Sequence, residues 1–139
     1  MTRISDALEL LTAQHDELEQ LVAELIAAHG DPRILVELAD KLTTHLAAET
    51  ELFYPSVVAV APVEEHAELK AVVADLMLRP LDDPERDALV ERLRLLVELH
   101  VAREDELFCA IAELMPTATL VGIGDQLQAW SDRSRCIAA

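Results

Sequence analysis

His45-Leu-Ala-Ala-Glu49-Thr-Glu-Leu-Phe53-Tyr54-Pro55 is the stretch that decides how this chain is read. It sets an imidazole and a carboxylate four residues apart, and on an α-helix residues i and i+4 lie one turn apart on the same face. Leu35, Leu38 and Leu42 lead into the pair and Leu52 follows it at three- and four-residue steps. His45 and Glu49 therefore fall on the apolar stripe of the helix and are expected to be buried. A lone ionised carboxylate there carries a desolvation penalty of several kcal/mol, against a domain stability of about 5–15 kcal/mol, so it needs a strong partner.

The phrase returns as His100-Val-Ala-Arg-Glu104-Asp-Glu-Leu-Phe108, identical at six of nine positions, with Leu93, Val97, Leu107, Ile111 and Leu114 continuing its stripe. The stretch from His15 to Leu25 likewise matches the stretch from His66 to Leu76 at six of eleven positions. A two-helix unit carrying first H and then HxxxE thus occurs twice, with ligand-type residues at corresponding places.

With 139 residues, 52% apolar, 3% aromatic and three glycines, the chain is expected to be all-α, since a Leu/Ala/Val/Glu mixture favours helices and leaves little turn chemistry for sheets. A net charge of −16 with eleven thinly spread basic residues argues against nucleic acid and against anionic membrane surfaces. The amino-terminal residues carry neither a signal-peptide pattern nor a span of transmembrane length, and Cys109 and Cys136 read as free thiols, so a cytoplasmic protein is expected. Cys109 is expected to pack in the core.

The first helix is expected from a cap at Ser5 or Asp6 to about Ala28, with His15 inward and Gly30 ending it, and His29 takes the role of a C-terminal cap. Asp31-Pro32 starts the second helix, which Pro55 should bend or end, because it lacks an N–H and its ring crowds the carbonyl of Glu51. The third helix runs from about Pro62 to Leu78 with His66 inward. The fourth is expected from Pro84 to about Met115. Residues 1–116 thus read as an antiparallel up-down four-helix bundle. Residues 117–139 read as a tail with a short fifth helix, anchored by Trp130, weakened by Gly122 and Gly124 and fraying from about Ser134.

At about 1.5 Å of rise per residue, His15 and His45 both lie ~21–22 Å from the turn between their helices, and His66 and His100 agree similarly across theirs. Four histidines with two glutamates at one level form a metal site. The N/O donor set suits iron, manganese or zinc rather than calcium or magnesium. Two ions bridged by Glu49 and Glu104, each with two histidines, account for all six groups.

The order H, HxxxE, H, HxxxE, with Leu52-Phe53 and Leu107-Phe108 after each HxxxE, resembles the hemerythrin-like HHE cation-binding domains from Ser5 to about Met115. That resemblance implies two iron ions in a non-haem centre with an oxo or hydroxo bridge, held by His15, His45, Glu49, His66, His100 and Glu104. Glu104 is preferred to Asp105 because Glu49 is its repeat partner. Oxygen carriers of the family have a further histidine where Lys70 stands here, which disfavours reversible oxygen carriage. The open coordination favours reaction with peroxide, oxygen or nitric oxide, in stress defence with possible catalase-like activity. An iron or oxygen sensor, or an iron donor for cluster repair, is the alternative, and a monomer or weak dimer is expected. Tyr54 lies about 140° from Glu49 on an ideal helix, so a distortion near Pro55 is needed for its phenol to reach the centre as a ligand or hydrogen-bond donor.

Overall fold

The structure, a computed structural model, describes residues 6–138, with side chains through Ser134. Its described residues form helices and connections without a strand. Helix α1 (Ala7–Ala27) starts where the Asp6 carboxylate accepts the Glu9 N–H at 2.8 Å, satisfying one of the orphan donors of a helix start. Ser5, the other candidate cap, lies outside the described residues. The helix closes as a Schellman motif: His29 N–H bonds the Ile26 carbonyl and Gly30 N–H the Leu25 carbonyl. His29 is the left-handed residue of that closure, with φ 53°, and Gly30 follows at φ 77°. His29 thus ends the helix through its backbone.

Asp31 caps α2 (Pro32–Ala48) by accepting the Arg33 N–H at 2.9 Å, with Pro32 in the first turn where no N–H is required. The helix then departs from the sequence expectation. The distortion begins at Glu49, well before Pro55, as a π-helical turn over Glu49–Phe53 in which Tyr54 N–H reaches back five residues to the Glu49 carbonyl. One α turn, α3 (Tyr54–Ser56), follows, and the widened turn before it accommodates a proline that donates no hydrogen bond. Val58, at φ 55°, reverses the chain.

Helix α4 (Val63–Leu78) precedes α5 (Arg86–Leu114). The α5 start corrects the expected one: Asp83 accepts the Glu85 N–H at 2.9 Å in a turn, and regular helix begins only at Arg86. That arginine is buried and ties two helix ends together, donating to the Leu76 carbonyl at 2.9 Å and the Gly30 carbonyl at 2.5 Å. The tail helix also differs from expectation. Helix α6 (Thr117–Ala138) is 22 residues long rather than short. Gly122 and Gly124 lie inside it because Leu120, Ile123 and Leu127 bury one continuous face, which outweighs the ~1 kcal/mol helix penalty of each glycine.

Neighbours close a ring: α1 packs on α2, α2 on α4, α4 on α5 and α5 on α1, with α6 laid against α1 and α2. Two apolar clusters fill this ring. One, toward the Gly30 and Arg86 end, holds Leu18, Leu25, Leu38, Leu42, Leu76 and Leu93; the other holds Leu11, Phe53, Phe108, Ile111 and the α6 face, with Trp130 packed at its edge. Each large apolar side chain buried in them contributes roughly 1.5–3 kcal/mol. Along α1 the order is Leu11, His15, Leu18, and along α5 it is Val97, His100, Glu104, Phe108. A polar layer therefore lies between the two apolar clusters, sealed from both ends. No described helix is long and apolar enough to cross a membrane.

Candidate metal centre

Helical register brings the sequence-chosen side chains into that layer. Glu49 is 0% exposed, and His15, His100 and Glu104 are 1% exposed. One ligand-type atom each from His15, His45, Glu49, His100 and Glu104 lie within 4.8 Å of one another. Glu104 Oε1 sits 2.7 Å from His15 Nε2, 3.0 Å from His100 Nε2 and 3.7 Å from His45 Nε2. Glu49 Oε1 is the second hub, 3.1 Å from His45 Nε2, 3.3 Å from His100 Nε2 and 3.7 Å from His66 Nε2. His66 stands at the margin, joined to the others through Glu49 and grouped with Glu65 and His100. Asp105, the alternative to Glu104, points outward and is exposed.

Outer hydrogen bonds aim the rings. His45 Nδ1 faces Gln14 Oε1 at 2.6 Å, His100 Nδ1 faces Glu65 Oε1 at 2.7 Å, and His66 Nδ1 faces Thr50 Oγ1 at 3.2 Å. With Nδ1–H donated outward, each Nε2 presents its lone pair to the centre, the arrangement metal-ligating histidines use. Gln14 immediately precedes His15 and Glu65 immediately precedes His66, so each two-helix unit orients the histidine of its own HxxxE from the same place. The sequence reading missed these partners because positions 14, 50 and 65 fall off the inward stripe. A polar residue just before the first histidine of both units was the signal available.

The electrostatics show what this layer lacks. His45 Nε2 and His100 Nε2 face each other at 3.3 Å, and both Glu49 oxygens and His66 Nε2 are buried without a hydrogen-bond partner among the described residues. The Glu49 oxygens are near imidazole nitrogens but not aligned to accept from them. Acceptors converging without donors are unfavourable in a dry interior unless positive charge lies between them. Protons supply some of it. Burial opposes charge on His45, yet the nearby charges of Glu49 and Glu104 outweigh it and raise the imidazole to about 9. The same contest, with the close approach of Glu104 and Glu49 prevailing, raises His100 to about 11. Burial likewise works against ionised Glu104, but the imidazoles of His100, His15 and His45 around it hold it far below the usual carboxylate range. For His66 burial prevails over the Glu49 charge and lowers the imidazole. Metal cations fit this donor set better than protons, since they satisfy the orphaned Glu49 oxygens and His66 Nε2 together.

Tyr54 reaches the layer: its hydroxyl donates to Glu104 Oε2 at 2.7 Å. The π turn explains the reach. With one extra residue in the turn, position 54 returns over Glu49 instead of standing about 140° away. Burial and the Glu104 charge push the phenol above its ordinary range, so it stays a donor. The matching position in the second unit behaves differently. Without a π turn in α5, Cys109 is exposed, which corrects its expected place in the core. Phe108 instead lies on the site, its ring parallel to that of His15 with centroids 5.7 Å apart. The side chain of Cys136 lies outside the described residues.

The profile of the hemerythrin HHE cation binding domain matches residues 6–112. No curated protein and no solved structure matches the chain. The profile match takes in every member of the buried His/Glu cluster and stops two residues before the end of α5, leaving α6 outside it. Most of the chain being matched, and the matched part carrying the cluster, the chain belongs to the hemerythrin HHE cation-binding domain family.

Proposed function

We propose that this chain is a non-haem di-iron protein of the cytoplasm that reacts with peroxide, oxygen or nitric oxide in oxidative or nitrosative stress defence. The observation that carries the reading is the convergence of Glu49, Glu104 and the imidazoles of His15, His45 and His100, with His66 beside Glu49 and the Glu49 oxygens left without a donor. We take His15, His45, Glu49, His66, His100 and Glu104 as the residues that would hold the ions. When bound, two irons would supply redox-active Lewis acids for reaction with a small molecule. The chain's own residues do the rest. Gln14, Thr50 and Glu65 hold the imidazoles in the ligating tautomer, Tyr54 keeps a proton on its phenol oxygen beside Glu104, and Phe53 and Phe108 exclude water from one side. Lys70 lies on the exposed face of α4, so no further histidine joins the layer from there, which supports redox chemistry over reversible oxygen carriage.

The ring of helix neighbours and the short links between consecutive helices support an antiparallel up-down order of α1, α2, α4 and α5, with residues 1–116 as the bundle and 117–139 as its appendage. The test of the whole reading is elemental analysis after anaerobic iron(II) loading. We expect two irons per chain, lost in His45→Ala and Glu104→Ala, and peroxide consumption by the loaded protein faster than by the same iron free in solution. Failure to retain iron, or retention with no reaction beyond free iron, overturns it.

A further inference from the structure

The centre is sealed between two apolar clusters, so anything that reaches it must pass between helices. A cleft of about 400 Å³ opens between α1, α2 and α6, and Gln14 and the buried His45 are among the residues that line it. A second cleft, of about 110 Å³ among Pro32, Val36, Met77 and Leu81, touches no member of the cluster. We propose that the cleft between α1, α2 and α6 is the passage by which metal ions and water-borne polar solutes reach the buried centre, with the Gln14 side chain as its inner door. This rests on the metal-site reading above.

The lining carries the argument. Thr44, Ser131 and Ser134 bring hydroxyls and Gln14 and Gln128 bring amides, groups that can replace water around a cation or a peroxide molecule as it sheds its shell. At the rim Lys41 pairs with Glu17 at 2.9 Å, and Asp40 adds a second carboxylate, so the rim carries one net negative charge and favours cations. The His45–Gln14 hydrogen bond of 2.6 Å is the contact between the cleft and a cluster residue. A turn of the exposed-side amide breaks that one bond and uncovers the imidazole, while His45 stays fixed by its helix. Position 14 thus orients the ring and covers it. The α6 wall lies outside the matched family segment of residues 6–112, so the passage is completed by a helix beyond that segment.

Two substitutions on separate walls block the cleft without touching the cluster: Ser131→Trp on α6 and Ala13→Phe on α1. Val36→Trp, in the second cleft, is the control. The readouts are the rate of iron(II) uptake under anaerobic conditions, the rate of release to a chromogenic chelator, and the final iron count. A passage affects travel in both directions equally. We expect both plugs to slow uptake and release together by about tenfold, with affinity and final count as in the unaltered chain and the control unaffected. Unchanged rates in both plugged variants overturn the proposal, and so does slower uptake with weakened affinity, the mark of a damaged site. Absence of iron from every variant and from the unaltered chain would instead bring down the metal-site reading, and this proposal with it.

Discussion

Glu65 accepts the Nδ1–H of His100 at 2.7 Å while its other oxygen receives Arg103, so a buried carboxylate stands directly behind an imidazole that faces the centre. In the other unit the same place behind His45 is held by the neutral amide of Gln14. A carboxylate behind an imidazole raises its basicity as a ligand more than an amide does, so the two halves are electronically unequal. Removing such a partner typically costs about 10–100-fold in metal affinity. We expect Glu65→Ala to weaken metal binding within that range. Glu65→Gln, which keeps an acceptor but removes the charge, should lie between it and the unaltered chain. Competition titrations against a chelator measure this, and equal affinities in all three proteins would show that Glu65 does not act through His100.

Tyr54→Phe keeps the ring among Phe53, Phe108 and His66 but deletes the 2.7 Å bond to Glu104 Oε2. A hydrogen bond to a charged group is worth about 1.5–3 kcal/mol, and the substitution leaves a buried carboxylate oxygen short of a donor. In the metal-free protein we expect a loss of that size in urea unfolding. The iron count should be unchanged, because Tyr54 contacts the carboxylate rather than supplying one of the six donors. A lower count would make the phenol a ligand.

The sequence showed most of this centre because the helical period that buries a leucine also buries whatever stands at its step. His15, His45, Glu49, His100 and Glu104 each occupy a leucine's place on a stripe, which is why spacing alone brought them together. His66 is on its stripe too and buried, yet lies at the margin of the cluster, grouped with Glu65 and His100. The reach of Tyr54 was conditional. Whether a helix absorbs a proline by kinking or by an extra residue in the turn before it depends on tertiary packing, here the burial of Phe53 and Tyr54. The length of α6 was hidden by its two glycines, whose local cost is visible in sequence while the compensating apolar face on α1 and α2 is not.

Two left-handed positions make opposite predictions. Gly30 has φ 77°, and an added Cβ would lie 3.2 Å from Arg86 Nε, an atom held in place by the bonds of that guanidinium to the Leu76 and Gly30 carbonyls. Gly30→Ala should therefore cost at least the ~1–2 kcal/mol of a left-handed residue. Val58 stands at φ 55° with its side chain 93% exposed, so the strain of a β-branched residue there has no packing to offset it. Val58→Gly should stabilise by up to about 1 kcal/mol, the relief of strain less the greater freedom of the unfolded glycine. Paired denaturation curves test both, and a neutral Gly30→Ala would mean that the turn relaxes out of its left-handed conformation.

The last prediction separates protons from metal in the same layer. In the metal-free protein His45 is raised to about 9 and His100 to about 11 from an ordinary 6.5. Groups raised by folding contribute stability that is fully present below 6.5 and is lost as pH climbs through those folded values. Glu104 is depressed, so its contribution is present above 4.5 and is lost as acid titrates it, which sets the opposite limb. The metal-free chain should thus lose melting temperature steadily from pH 6.5 to 9. Metal binding must displace the protons that His45 and His100 hold near neutrality, so affinity strengthens over the same interval and protons are released. The rise in melting temperature on adding iron(II) anaerobically should therefore grow from pH 6.5 to 9 while the metal-free baseline falls. A metal-induced shift that is flat with pH would mean that the ion does not compete with those protons, and would place it away from His45 and His100.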